Sequence, residues 1–142
     1  MRHSDESYVN VAVAIIRQEG KVLIARRAPK ESYPGKWEFP GGKLEDKETP
    51  EEALAREVRE ELCMSVRVGE RILVFEHDYG RPDHKKHRFF AFWCQVLEGE
   101  PSLTVHDEYV LVRVENLSQY DFVEADKQLV DVLLKTLRPL VE

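Results

Sequence analysis

Gly41-Gly42-Lys43-Leu44-Glu45-Asp46-Lys47-Glu48-Thr49-Pro50-Glu51-Glu52-Ala53-Leu54-Ala55-Arg56-Glu57-Val58-Arg59-Glu60-Glu61-Leu62 runs from a glycine pair into an amphipathic helix. Side-chain chemistry marks where that helix begins. Thr49 suits the N-cap, and Pro50 suits the first helical position, where its missing N–H is no loss. Glu52, three residues after Thr49, completes a capping box. Leu54, Val58 and Leu62 recur at steps of four and form a stripe to be buried. Glu57, Glu60 and Glu61 fall on a different face, within a wedge of roughly 100°. Carboxylates gathered in this way repel one another, and like charges one turn apart cost about 0.3 kcal/mol. Two readings account for them. One is a solvated helix laced with ion pairs, in which Arg56 serves Glu52 or Glu60. The other is a hard divalent cation, whose preferred ligands are carboxylate oxygens and whose charge reverses the sign of the interaction.

Upstream, Tyr8–Ile16 is rich in Val and Ile and predicts a strand. Gln18-Glu19-Gly20 predicts a turn, and Lys21–Arg26 the second strand of a hairpin. Arg27–Lys36 holds two prolines and a glycine and is expected as loop, and Trp37-Glu38-Phe39 is a short apolar piece ended by Pro40-Gly41-Gly42. Downstream, strands are expected over Arg71–Tyr79 and His87–Leu97, joined by a polar loop over Gly80–Lys86, and again over Tyr109–Val114. Asp126–Leu137 carries helical apolar spacing. The order β-β-β-α-β-β-β-α predicts an α/β fold with helices packed on a mixed sheet.

The chain has 142 residues, enough for one domain over 1–142, with 27 acidic and 21 basic residues and a net charge of -6. Aromatic residues at 9% exclude a disordered acidic tail. The longest apolar runs, Val11–Ile16 and Phe89–Cys94, are six residues each and too short to span a bilayer. Met1–Glu6 does not resemble a secretory leader, and Cys63 and Cys94 form no C-x-x-C pair, so a reduced, cytosolic setting is expected. A net acidic surface is a poor partner for a nucleic-acid polymer. Phosphate chemistry in such a protein calls for local positive charge, most simply a bound metal ion. His77, Asp78, Asp83, His84 and His87 surround one loop without any zinc spacing, and are expected as a polar hairpin tip, as is Lys85-Lys86-His87-Arg88.

The segment after Gly41 resembles the signature box of the Nudix hydrolases, G-x5-E-x7-R-E-U-x-E-E-x-G-U, with U a bulky apolar residue. Gly42, Glu48, Arg56, Glu57, Val58, Glu60, Glu61 and Met64 match at the required spacing, and Cys63 replaces the family glycine. A glycine there would end the helix in a left-handed conformation. Cysteine should cost about 1 kcal/mol or let the helix run on. The resemblance implies an α/β/α sandwich with a mixed β-sheet and a loop-helix-loop catalytic motif. It also implies one or more Mg²⁺ ions (Mn²⁺ as substitute) on Glu57, Glu60 and Glu61 with the Gly41 carbonyl, and an ion pair of Glu48 with Arg56. Glu57 is the general-base candidate within the box. Family members often take a further carboxylate from an E-H-x-E-x-x-W-like segment. Here Val105-His106-Asp107-Glu108-Tyr109-Val110-Leu111 corresponds, leaving Asp107 and Glu108 as candidate extra bases or plain surface charges.

Beyond the box, Leu23–Arg27, Gly35–Lys43, Glu98–Pro101 and Phe122–Val130 are similar to the MutT-like branch, whose reaction yields a nucleoside monophosphate and pyrophosphate. The resemblance implies substrate contacts for Arg27, Glu38, Lys43 and Asp126. Asp126 matches the CTP pyrophosphohydrolase branch, where the oxidised-guanine branch has asparagine. A carboxylate only accepts hydrogen bonds, which suits the amino group of cytosine; alternatively, Asp126 caps the last helix. The rivals are hydrolysis of a nucleoside diphosphate sugar or ADP-ribose, and a silent nucleotide-binding module. The retained Glu57, Glu60 and Glu61 oppose the latter. Monomer and homodimer both stay open.

Overall fold

The computed structural model describes residues 8–80 and 86–141. Its strands are β1 (Tyr8–Gln18), β2 (Lys21–Arg27), β3 (Trp37–Glu38), β4 (Gly41–Lys43), β5 (Ser65–His77), β6 (Lys86–Glu98) and β7 (His106–Arg113). Helix α1 spans Pro50–Leu62 and α2 spans Lys127–Val141, with 3₁₀ turns at Val114–Gln119 and Glu124–Asp126. Asp83, His84 and Lys85 of the expected hairpin tip lie outside the described residues.

The sheet is mixed. β1 forms a hairpin with β2 through Glu19 (φ 55°) and Gly20 (φ 78°), the two left-handed residues that a type I′ turn requires. β1 also pairs antiparallel with β4 and, over its whole length from Tyr8↔Lys86 to Arg17↔Gln95, parallel with β6. β5 flanks β6, while β3 and β7 both pair with β2.

Alternation along β1 sends Ala12, Ala14 and Ile16 to one face, where they meet Leu54, Val58 and Leu62 of α1. Val13 and Ile15 go to the other face, with Leu129 and Leu133 of α2. Both faces are covered, so β1 reads as an unbroken apolar run. Two cores with a sheet between them make the α/β/α sandwich.

Four boundaries differ from expectation. β5 starts at Ser65 rather than Arg71, because this edge strand breaks register between Val68 and Arg71 and again before Leu73. Those irregularities leave Arg67, Gly69 and Glu70 exposed and erase the alternation that marks a strand. β7 starts at His106 rather than Tyr109, and Gly41-Gly42, expected to end a strand, themselves form β4. The last helix begins at Lys127, and Asp126 belongs to the preceding 3₁₀ turn. No helix among the described residues is long and apolar enough to cross a membrane.

Helix α1 starts as its chemistry dictates. Thr49 accepts from the Glu52 backbone N–H at 3.1 Å, and the Thr49 backbone N–H donates to Glu52 Oε1 at 3.0 Å. Its other end is held despite the missing glycine. Cys63 adopts the left-handed conformation (φ 58°, ψ 34°), and its N–H donates to the Arg59 carbonyl. The carbonyls of Glu60, Glu61 and Leu62 receive the Thr104 hydroxyl, the Thr104 N–H and the Ser102 N–H. This external sewing satisfies groups that a helix end leaves orphaned. The helix therefore stops where a glycine would stop it, at the cost of a strained, exposed cysteine. Cys63→Gly is expected to raise unfolding free energy by about 1 kcal/mol, measured by chemical denaturation, with no change in turnover.

Candidate active site

Arg56 organises the polar end of α1. Its Nε and Nη2 clasp Glu48 at 2.7 and 3.0 Å, and Nη2 also donates to the Lys43 carbonyl at 3.1 Å. The bidentate pair ties the loop before α1 to the helix and holds Glu48 down at about pKa 2. Lys43 thus takes part through its backbone, and the residue is otherwise exposed.

The remaining Arg56 nitrogen, Nη1, is shared between Glu57 Oε2 at 3.1 Å and Glu60 Oε1 at 3.3 Å. Glu57 lies against the glycine pair. A methyl group built on Gly42 would come within 2.3 Å of the Glu57 carboxyl carbon, so glycine at this position is what lets the carboxylate lie against the strand. Glu61 is half-buried beside the Gly41 N–H, which approaches its Oε1 at 3.4 Å. Burial, reinforced by the charges of Glu57 and Glu38, pushes the Glu61 carboxyl up to about 8. Burial also raises Glu57, against the pull of Arg56.

The helical wedge predicted three gathered carboxylates; Glu57 and Glu60 share the Arg56 Nη1 donor, and Glu61 feels the charge of Glu57. Glu60 stays exposed, drawn along the helix surface to Arg56 one turn earlier. Among the described residues no three acidic, histidine or cysteine side chains stand in a ready ligand set. The Glu57–Glu61 pair nevertheless fits a hard cation. Its donors are oxygens alone, a glycine is kept clear for it, and its negative charges raise each other's energy until a positive charge joins them.

Glu61 also feels Glu38 and Arg27, two residues that line an adjoining cavity of about 520 Å³. Tyr33, Tyr79, Phe122 and Ala125 form other parts of its wall. Arg27 is not a free solvent-facing cation. Its Nη1 bonds Glu38 Oε1 at 3.0 Å, Nη2 bonds Ser32 Oγ at 2.9 Å, and Nε donates to the Ser32 carbonyl. Asp126 does not spend its carboxylate on the helix that follows it. Oδ2 accepts from the Phe39 N–H at 2.9 Å, next along the chain to Glu38, and full burial pushes the carboxyl up to about 7.

Asp107 and Glu108 are exposed and paired with Arg26 at 2.8 and 3.1 Å. The residue before them, which sequence reasoning passed over, is the buried one: His106 Nε2 lies 2.8 Å from Glu38 Oε2. The sequence signal that could have found it is the histidine of the E-H-x-E-x-x-W-like segment, which His106 matches. The contact becomes visible when β7 is registered against β2. His77, Tyr79 and His87 stack edge-on at the hairpin base.

The NUDIX domain model matches residues 7–133. The chain is 34% identical over 134 residues to the CTP pyrophosphohydrolase of Escherichia coli (strain K12), covering 92% of this chain and 96% of that one. It is 40% identical over 101 residues to the 8-oxo-dGTP diphosphatase of Proteus vulgaris, covering 70% and 86%. Among solved structures, the MutT protein from Methanosarcina mazei Go1 superposes with a TM-score of 0.80 at 27% identity, covering 95% and 96%. The E. coli ORF135 protein does so with a TM-score of 0.78 at 32% identity, covering 93% and 94%. With a glycine-cradled acidic pair on α1, a cavity beside it and a family match over nearly the whole length, the chain belongs to the Nudix hydrolases.

Proposed function

We propose that this protein is a Mg²⁺-dependent pyrophosphohydrolase of (deoxy)nucleoside triphosphates that releases a nucleoside monophosphate and pyrophosphate and favours amino-bearing bases such as cytosine. The observation that carries the reading is the junction of acidic centre and cavity: Glu61 of the centre is coupled to Glu38 and Arg27 of the cavity wall. A polyphosphate at the centre then has its base end in a cavity of about 520 Å³, a volume that suits a small planar ligand.

Glu57 and Glu61, with Glu60 swinging in from the surface and the Gly41 carbonyl, are the groups that would hold the metal. Bound there, a divalent ion neutralises phosphate charge and polarises water. The chain's own residues do the rest. Arg56 fixes Glu57 against Gly42, which supports Glu57 as the group that takes a proton from attacking water. Glu38 lines the cavity, where acceptor oxygens select ligands that donate, and Asp126 stands behind that wall, held by the N–H of the neighbouring Phe39. Asp107 and Glu108, bound to Arg26, are weaker candidates for the base.

The test is a panel of nucleoside triphosphates and diphosphate sugars with Mg²⁺, with products identified. Pyrophosphate from triphosphates is expected, fastest with CTP or dCTP. Asp126→Asn, which turns one acceptor oxygen into an amide donor, is expected to lower the cytosine-to-uracil ratio of kcat/KM about tenfold. Activity confined to diphosphate sugars would overturn the reading.

A further inference from the structure

We propose that His106 is a positioning residue for base selection, acting through Glu38; the inference rests on reading the cavity as the base site. Glu38 of β3 pairs with Ala25 of β2, and His106 of β7 pairs with Arg27 of β2. Ala25 and Arg27 are two residues apart on one strand and share a face. Ala25 is fully buried and offers only a methyl group there, which leaves room for the side chains of the two flanking strands to meet across it.

They meet at 2.8 Å, His106 Nε2 to Glu38 Oε2. A carboxylate only accepts, so Nε2 carries the proton of this bond. Arg27 Nη1 donates to the other oxygen, Oε1, at 3.0 Å. The carboxylate is thus gripped from two strands, one donor on each oxygen, and its rotation is fixed.

A carboxylate has about four lone-pair sites, and these two bonds use half of them. Glu38 lines the cavity, so the rest are offered to a ligand. A fixed pure acceptor rewards an amino group and penalises a carbonyl in the same place. Because its orientation is set beforehand, little freedom is lost on binding. His106 is 7% exposed, and its Nδ1 is buried without a partner among the described residues. An apolar residue would fill that core position without an orphaned nitrogen. The cost is consistent with a histidine kept for its Nε2 contact.

The experiment measures kcat and KM for CTP and UTP with the wild type, His106→Ala, His106→Gln, Glu38→Gln and the double variant His106→Ala/Glu38→Gln. His106→Ala is expected to lower the CTP-to-UTP ratio of kcat/KM about tenfold, through KM for CTP. His106→Gln, whose amide can donate to Glu38, is expected to restore most of it, and the double variant to be no worse than Glu38→Gln alone. An unchanged ratio, an equal loss on both nucleotides, or additive losses in the double variant would overturn the proposal. His106→Gln against His106→Met decides the matter if the alanine variant does not fold. Should the wild type turn over no triphosphate, the reading of the reaction fails by itself. Calorimetric binding of CMP against UMP then judges His106 by the same loss of preference, and a wild type that binds both equally overturns its role.

Discussion

Glu61→Gln is expected to slow hydrolysis by about 10²–10⁴-fold and yet, near pH 9, to make the metal-free protein harder to unfold by on the order of 2 kcal/mol. Both effects have one origin. Glu61 is half-buried next to Glu57 and Glu38, and its carboxyl is pushed from 4.5 up to about 8. The unfolded chain loses that proton near pH 4.5 and the folded chain near pH 8. Stability that is fully present below the lower value is therefore lost as pH rises through the upper one. Glutamine carries no charge and suffers no such loss. The advantage of the variant should be absent at about pH 4 and complete at about pH 9, as measured by denaturant unfolding in the presence of a chelator. Glu57→Gln should lose activity similarly but gain less stability, because Arg56 already offsets part of the Glu57 charge. A Glu61→Gln variant that loses turnover without gaining stability at high pH would mean that the buried charge is not costly.

Alanine at the two adjacent glycines should separate folding from chemistry. At Gly41 the new methyl group would lie 2.0 Å from the Ala12 carbonyl oxygen and 3.0 Å from Val13 Cα, which are backbone atoms of the central strand. They cannot move without breaking the β1–β4 pairing, so Gly41→Ala is expected to cost about 3 kcal/mol of stability. At Gly42 the three atoms nearest the methyl would all belong to the Glu57 carboxyl group, at 2.3 to 2.6 Å. That side chain can swing away. Gly42→Ala should therefore stay folded, with a melting temperature close to the wild type, while turnover drops about 10²-fold, because a carboxylate displaced by an ångström no longer meets its partners. Thermal melts read beside initial rates distinguish the two. A Gly42→Ala protein with full activity would remove Glu57 from the reaction.

The parts legible in the sequence were those whose causes are local. The Thr49–Glu52 capping box, the Leu54/Val58/Leu62 stripe and the Glu19-Gly20 hairpin each need only neighbours in the chain. The Glu48–Arg56 pair was implied through the family motif, and in the fold it is bidentate. What stayed hidden depends on register between distant segments. Gly41-Gly42 of β4 looked like the end of the Trp37-Glu38-Phe39 piece because glycine usually ends strands, and here Gly42 is the residue that lets Glu57 approach. The early part of β5 was lost to its own bulges. His106 was lost because its partner, Glu38, lies on another strand with β2 between them. The three-carboxylate wedge was an inference from helix geometry alone. It did not show that one of the three, Glu60, stays exposed on the helix surface.

The ten-residue parallel ladder between β1 and β6 also bears on how this enzyme comes into being. Its partners, Tyr8 with Lys86 through Arg17 with Gln95, lie far apart in the chain, and α1 with its carboxylates sits in the span between them. Closing so long a loop comes before its contacts can reward it, so folding of this sheet is slow relative to formation of α1 itself. During synthesis the acidic helix leaves the ribosome well before β6, and its apolar stripe has no complete sheet to rest on. A nascent chain that stalls before that strand therefore holds the carboxylates of α1 without the completed sheet that frames them.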